Sequence, residues 1–159
     1  MSSTTFSGPV TSTNGFISGS GSVLSVTASD ALTNDEHAGR TILANAAAGM
    51  TLTLPAATGT GNTYSVIVQT TVTSNNLIIQ AASASDVMTG VALMAADGGD
   101  TVVGFETAAD TDTITMNGTT KGGIKGDKIV LQDIATGLWH VAITGSATGT
   151  EATMFSAAV

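Results

Sequence analysis

Between Gly122 and Thr144 the apolar and β-branched residues fall into two runs, Asp127 to Gln132 and Leu138 to Ile143, separated by Ile134-Ala135-Thr136-Gly137. That spacer can turn with Gly137 in left-handed backbone, so the pattern predicts a β-hairpin. Side chains alternate along a strand, which puts Trp139, Val141 and Ile143 on one face and Leu138, His140 and Ala142 on the other. An indole buries roughly 150–250 Å². Trp139, with Val141, Ile143, Ile129 and Leu131, is therefore the expected centre of a core. A hairpin is marginal alone in water, so this one must belong to a larger sheet.

The rest of the chain supplies further short strands. Val23 to Ala28 alternates weakly, and Ser29 to Gly39 is polar, reading as a loop or a single helical turn. Arg40 to Asn45 and Met50 to Leu54 follow; in the second, Met50, Leu52 and Leu54 share a face opposite Thr residues, and Pro55 ends it. Thr58 to Asn62 is a Gly-rich turn before the strand Thr63 to Val72, and Asn75-Asn76 turns into Leu77 to Ala81. Asp86 to Met94 reads as one strand or as two broken at Gly90, and Thr101 to Phe105 as another. Thr113 to Met116 is expected to pair with Thr119 to Lys121 across the type I′ turn former Asn117-Gly118. The expected fold is all-β, a β-sandwich or barrel-like jelly roll of about eight to ten short antiparallel strands. Residues 1–22 read as an extended N-terminal arm, 23–145 as the β-rich body, and 146–159 as a C-terminal arm. Phe6, Pro9, Val10, Phe16 and Ile17 are spaced along the first arm as anchors for a partner.

Composition changes this picture in one respect. Only 10% of the 159 residues are charged, against about 25% in ordinary soluble domains. A surface of Thr, Ser, Gly and Ala, with few edge lysines to block strand pairing, points to self-association or a larger assembly. A net charge of −8, with one Arg and three Lys, argues against nucleic-acid binding. With no Cys, disulfides, thiolate metal sites and cysteine nucleophiles are excluded. The opening MSSTTFSGPV lacks the basic-then-apolar order of a secretory signal, and no apolar stretch approaches the roughly 20 residues of a membrane-spanning helix.

Candidate chemistry is thin. Thr58 to Asn62 lacks the Lys-Ser/Thr of a phosphate-binding loop, and no helical pattern follows it. Asp97, Asp100, Glu106, Asp110 and Asp112 could offer oxygens to Ca²⁺, but the twelve-residue EF-hand order is missing. Glu106 with Asp110 or Asp112 could form a glycosidase acid pair, though no spacing singles one out. No G-x-S-x-G elbow is present, and His140 is expected to be a satisfied structural histidine. The expectation is no catalytic residue, no metal and no cofactor.

Two segments carry a resemblance. FSGPVTSTNGF, Phe6 to Phe16, resembles the start of small structural proteins of tailed bacteriophages. The run from Ala38 to Ala82, containing LPAATG and a Gly turn before a Tyr strand, together with the closing KGDKIVLQDIATGLWHVAITG, is similar to phage capsid decoration, or cement, proteins. The resemblance implies a non-enzymatic virion protein, made in the host cytoplasm, that binds the major capsid protein on the outer surface of the shell as a homotrimer. Such a protein bridges subunits against the pressure of packed DNA. The alternative is a trimeric fibre or spike module for host polysaccharide, which would use Trp139 and Tyr64 for sugar stacking.

Overall fold

The computed structural model describes Ser7 and residues 23–159. The anchors expected at Phe6, Pro9, Val10, Phe16 and Ile17 lie outside the described residues. Among the described residues twelve strands and one short helix run in the order β1 (Val23–Val26), β2 (Asp30–Ala31), α1 (Asn34–His37), β3 (Thr41–Ala44), β4 (Met50–Thr53), β5 (Thr63–Val68), β6 (Leu77–Gln80), β7 (Val87–Ala95), β8 (Val102–Glu106), β9 (Thr113–Met116), β10 (Lys128–Ala135), β11 (Leu138–Ser146) and β12 (Phe155–Ser156). They form a seven-stranded sheet, β1-β3-β5-β10-β11-β7-β8, and a five-stranded sheet, β12-β9-β6-β4-β2. The fold is an all-β sandwich.

Both sheets are mixed, which corrects the expectation of purely antiparallel strands. β1, β3 and β5 run parallel in the large sheet, and β2, β4 and β6 run parallel in the small one. The chain reaches this by winding: from β1 to β6 each strand in one sheet is followed by a strand in the other, so successive strands of a sheet point the same way. Parallel pairing needs a crossover connection. Here the opposite sheet supplies it. β7 also lies parallel to β11, while β10 pairs antiparallel with both β5 and β11.

Other differences are local. Gly90 sits inside an unbroken β7, because its backbone passes so close to Val141 that a Cβ would stand 1.8 Å from the Val141 carbonyl oxygen. Thr113 to Met116 pairs with β6 and β12 rather than with Thr119 to Lys121. The competing interaction is the Asn117 side chain, whose Oδ1 accepts from the N–H groups of Thr119 and Lys121, both at 3.0 Å, and so closes a turn instead of a hairpin. The C-terminal segment runs back over the body: Phe155 pairs with Ile114, and Met154 and Phe155 are buried.

The core lies between the sheets. In the large sheet one register row crosses all seven strands, Leu24, Ile42, Val66, Ile129, Ile143, Ala92 and Phe105. Facing it from the small sheet are Leu52, Ile79, Ile114 and Phe155 in one row and Met50, Leu77 and Met116 in the next. Trp139, Val141, Ile143, Ile129 and Leu131 are all buried within this cluster.

Candidate interaction surface

The acidic residues that a functional reading would examine first are spent on the fold. Asp133, on β10, reaches the Gly-rich loop: Oδ1 accepts from Gly59 N at 2.7 Å and Thr58 N at 3.1 Å, and Oδ2 accepts from Thr60 N at 2.9 Å and Thr60 Oγ1 at 2.7 Å. Successive N–H groups converging in this way form an anion nest. The chain fills that nest with its own carboxylate. Burial alone pushes the Asp133 carboxyl upward, but the bonds from Thr60, Gly59 and Thr58 outweigh it and hold the group below the ordinary range.

Asp127 makes the equivalent tie at the other end of the hairpin, accepting from Gly123 N and Ile124 N on Oδ2 and from Ser146 N on Oδ1, at 2.8, 3.0 and 2.9 Å. Here burial wins over these bonds and raises the carboxyl. Gly145 packs so tightly on this group that a Cβ would stand 2.6 Å from its carboxylate. Asp112 accepts from Thr113 Oγ1 at 2.7 Å and from the N–H groups of Ala158 and Val159 at 2.8 and 3.3 Å, pinning the C-terminus. Burial pushes Asp112 up, and the bonds from Ala158, Thr113 and Val159 pull it below its usual value.

The remaining acids do not converge. Glu106 projects from β8, Asp110 and Asp100 are exposed, and Asp97 accepts from Gly149 N at 3.0 Å. Among the described residues no group of three or more His, Asp or Glu is placed to hold a metal ion. The structural histidine is not His140. His37 is the buried one, its Nδ1 accepting from Thr33 N at 3.0 Å and its Nε2 3.4 Å from the Asp30 carboxylate, whereas His140 is exposed on the outside of the large sheet. A strand's alternation sets which face a side chain takes but not which face is covered. Trp139 and Tyr64 are both fully buried, so neither offers a stacking platform for a sugar.

What the described surface offers is the outer face of the large sheet. Its register places Leu43, Ile67, Lys128, Thr144, Leu93 and Gly104 in one row, and Thr41, Ser65, Val130, Ala142, Val91 and Glu106 in the next. Val91, Leu93 and Val102 are 45%, 48% and 65% exposed. The outer face of the small sheet presents instead Thr51, Thr53, Ile78, Gln80 and Thr115. Exposed Val91 and Leu93 on β7, with Val102 on the neighbouring β8, make this face the more apolar of the two, and exposed apolar residues grouped in this way mark a contact surface. Reading the sequence for catalytic groups passes over these residues. Their signal is β7, where Met88, Ala92 and Met94 alternate with Val91 and Leu93, apolar on both faces.

No protein-family model matches the chain, and neither does any curated protein or solved structure.

Proposed function

We propose that the chain is a structural virion protein that attaches to the outside of a tailed-phage capsid as a trimer and stabilises the shell by bridging major capsid protein subunits. The observation that carries this reading is the outer face of the seven-stranded sheet, where exposed Val91, Leu93 and Val102 stand among few charges, on a scaffold whose buried Asp112, Asp127 and Asp133 are bonded to its own backbone. Such a molecule binds protein by area and shape rather than by chemistry at a site. Many copies on one shell make weak individual contacts sufficient, because engagement at one point raises the effective concentration at the next. The fibre-module alternative loses its stacking residues to the core. The resemblance of Phe6 to Phe16 to the start of small tailed-phage structural proteins, and of Ala38 to Ala82 with the closing Lys125 to Gly145 run to decoration proteins, supports the same assignment.

The test is co-sedimentation of the purified full chain with empty expanded capsids, beside a chain lacking residues 1–22. The full chain is expected to pellet, and the truncation to stay trimeric but remain in the supernatant. A chain that ignores capsids and is retained on host polysaccharide would overturn the assignment.

A further inference from the structure

We propose that the outer face of the seven-stranded sheet is where copies of this chain meet, packed about an axis running along the junction of β7 and β11, with Lys128 of one copy set against Glu106 of the next. The inference rests on the reading of the chain as a self-associating shell protein and adds the surface and the contact that hold the copies together.

Three features lead to it. The first is continuity. The four strands that an axis on the β7–β11 junction brings together, β10, β11, β7 and β8, make an unbroken face about 19 Å wide, and strands of about five residues make it about 17 Å deep. The second is composition: Leu43, Ile67, Val130, Val91, Leu93 and Val102 all project outward from it, and the most exposed of these, Val91, Leu93 and Val102, lie on β7 and β8, with exposed Val23 at the far edge on β1.

The third is the charge pattern, which selects a copy as the occupant. Among the described residues of this face the only Lys is Lys128 on β10 and the only carboxylate is Glu106 on β8. In the order β10-β11-β7-β8 these two strands stand equally far from the β11–β7 junction, on opposite sides, about 7 Å each at ordinary strand spacing. Lys128 shares a register row with Leu93 and Gly104, and Glu106 lies two residues away along the strand, a rise of about 7 Å. A symmetry axis along that junction carries the β8 side of one copy onto the β10 side of another. The cation of one copy then lies beside the anion of the next, within reach of two long side chains. The whole chain carries −8, so copies repel elsewhere; this neutral face is where they can approach. Threefold closure satisfies the same pairing around a ring, each copy giving its β10 side to one neighbour and its β8 side to the other.

Charge exchange tests the contact. Association of the full chain and of K128E, E106K and the double variant K128E/E106K is measured by sedimentation equilibrium at low salt, with circular dichroism to verify folding. Each single variant is expected to associate about tenfold more weakly or worse, and the double variant to return to within about threefold of the parent. L93D, which places a charge in the apolar centre, is expected to be monomeric. A monomeric parent, single variants that associate like the parent, or a double variant no stronger than its singles would overturn the inference. The same variants are tested for capsid pelleting. Pelleting without association through this face rejects the inference and leaves the capsid assignment standing; charge-swap rescue without pelleting does the reverse.

Discussion

The ring of Trp139 meets the ring of Tyr64 edge to face, centroids 5.6 Å apart and planes at 71°. The two residues come from β11 and β5, which flank β10, so the contact spans the middle of the large sheet beneath its central strand. The Tyr64 hydroxyl leaves the core at one end, donating to Asn34 Oδ1 at 2.5 Å. Burial, then the charge of Asp133, raises the Tyr64 hydroxyl above its ordinary pKa. W139A is expected to cost about 3–5 kcal/mol, the range for an aromatic removed from a packed core. Y64F, which gives up only the bond to Asn34, should cost about 0.5–1.5 kcal/mol. Because Trp139 is the only Trp, its fluorescence should be blue-shifted and shielded from acrylamide until the denaturant midpoint. Quenching of the native protein would contradict its placement.

Asp133 is the acceptor on which the Thr58–Asn62 loop is assembled, and D133N turns an N–H₂ group toward donors that need an oxygen. A loss of about 2–3 kcal/mol is expected in urea unfolding, the cost of leaving buried polar groups unpaired.

The pH dependence follows from the direction of each shift. Asp133 and Asp112 have lowered folded pKa values, so their contribution is present above the unfolded value of about 3.9 and is lost as pH falls through the folded values. Asp127 is raised, so it opposes folding above its folded pKa, and that cost is relieved as pH falls through it. Unfolding free energy measured from pH 7 downward should therefore drop steeply only below about pH 4. In D133N that acid limb should be shallower, while the opposing contribution of Asp127 persists.

Gly90 and Val141 test the β7–β11 junction directly. With a Cβ at residue 90 set to stand 1.8 Å from a backbone oxygen, G90A must push two parallel strands apart. The expected loss is about 3 kcal/mol or more, read as a fall in melting temperature with new amide exchange along β7. By contrast G61A, at a position with no heavy atom near the added carbon, should suffer only the strain of its left-handed backbone, about 1–2 kcal/mol.

Removing residues 154–159 takes away Met154 and Phe155 and leaves Asp112 without its two C-terminal donors. It also strips β12 from β9, turning β9 into an open sheet edge. A destabilised chain that aggregates through that edge is expected in light scattering.

The all-β class was legible because alternation in segments such as Met50–Leu54 and Leu138–Ile143 reports a half-buried strand whatever its neighbour. Strand direction was not. Thr41–Ala44 and Thr63–Val68 show the same alternation whether they pair parallel or antiparallel, and only the winding of the chain through the opposite sheet decides it. The role of Asp133 was not legible in sequence, because its donors in the Thr58–Thr60 loop lie 73 to 75 residues away. The contact face was legible in principle from β7, whose two apolar faces demand two covers, but the charge pairing across it depends on the seven-strand order. Asn117-Gly118 shows the opposite failure, a strong local turn signal overruled by a side chain that bonds to its own following backbone.

The most direct measurement is a cryo-electron microscopy reconstruction of expanded capsids with and without the added full chain. The account predicts extra density outside the shell at threefold and quasi-threefold positions, fitted by sandwiches whose seven-stranded sheets face one another about the axis. Shells that remain bare at saturating concentrations of a folded chain would contradict it.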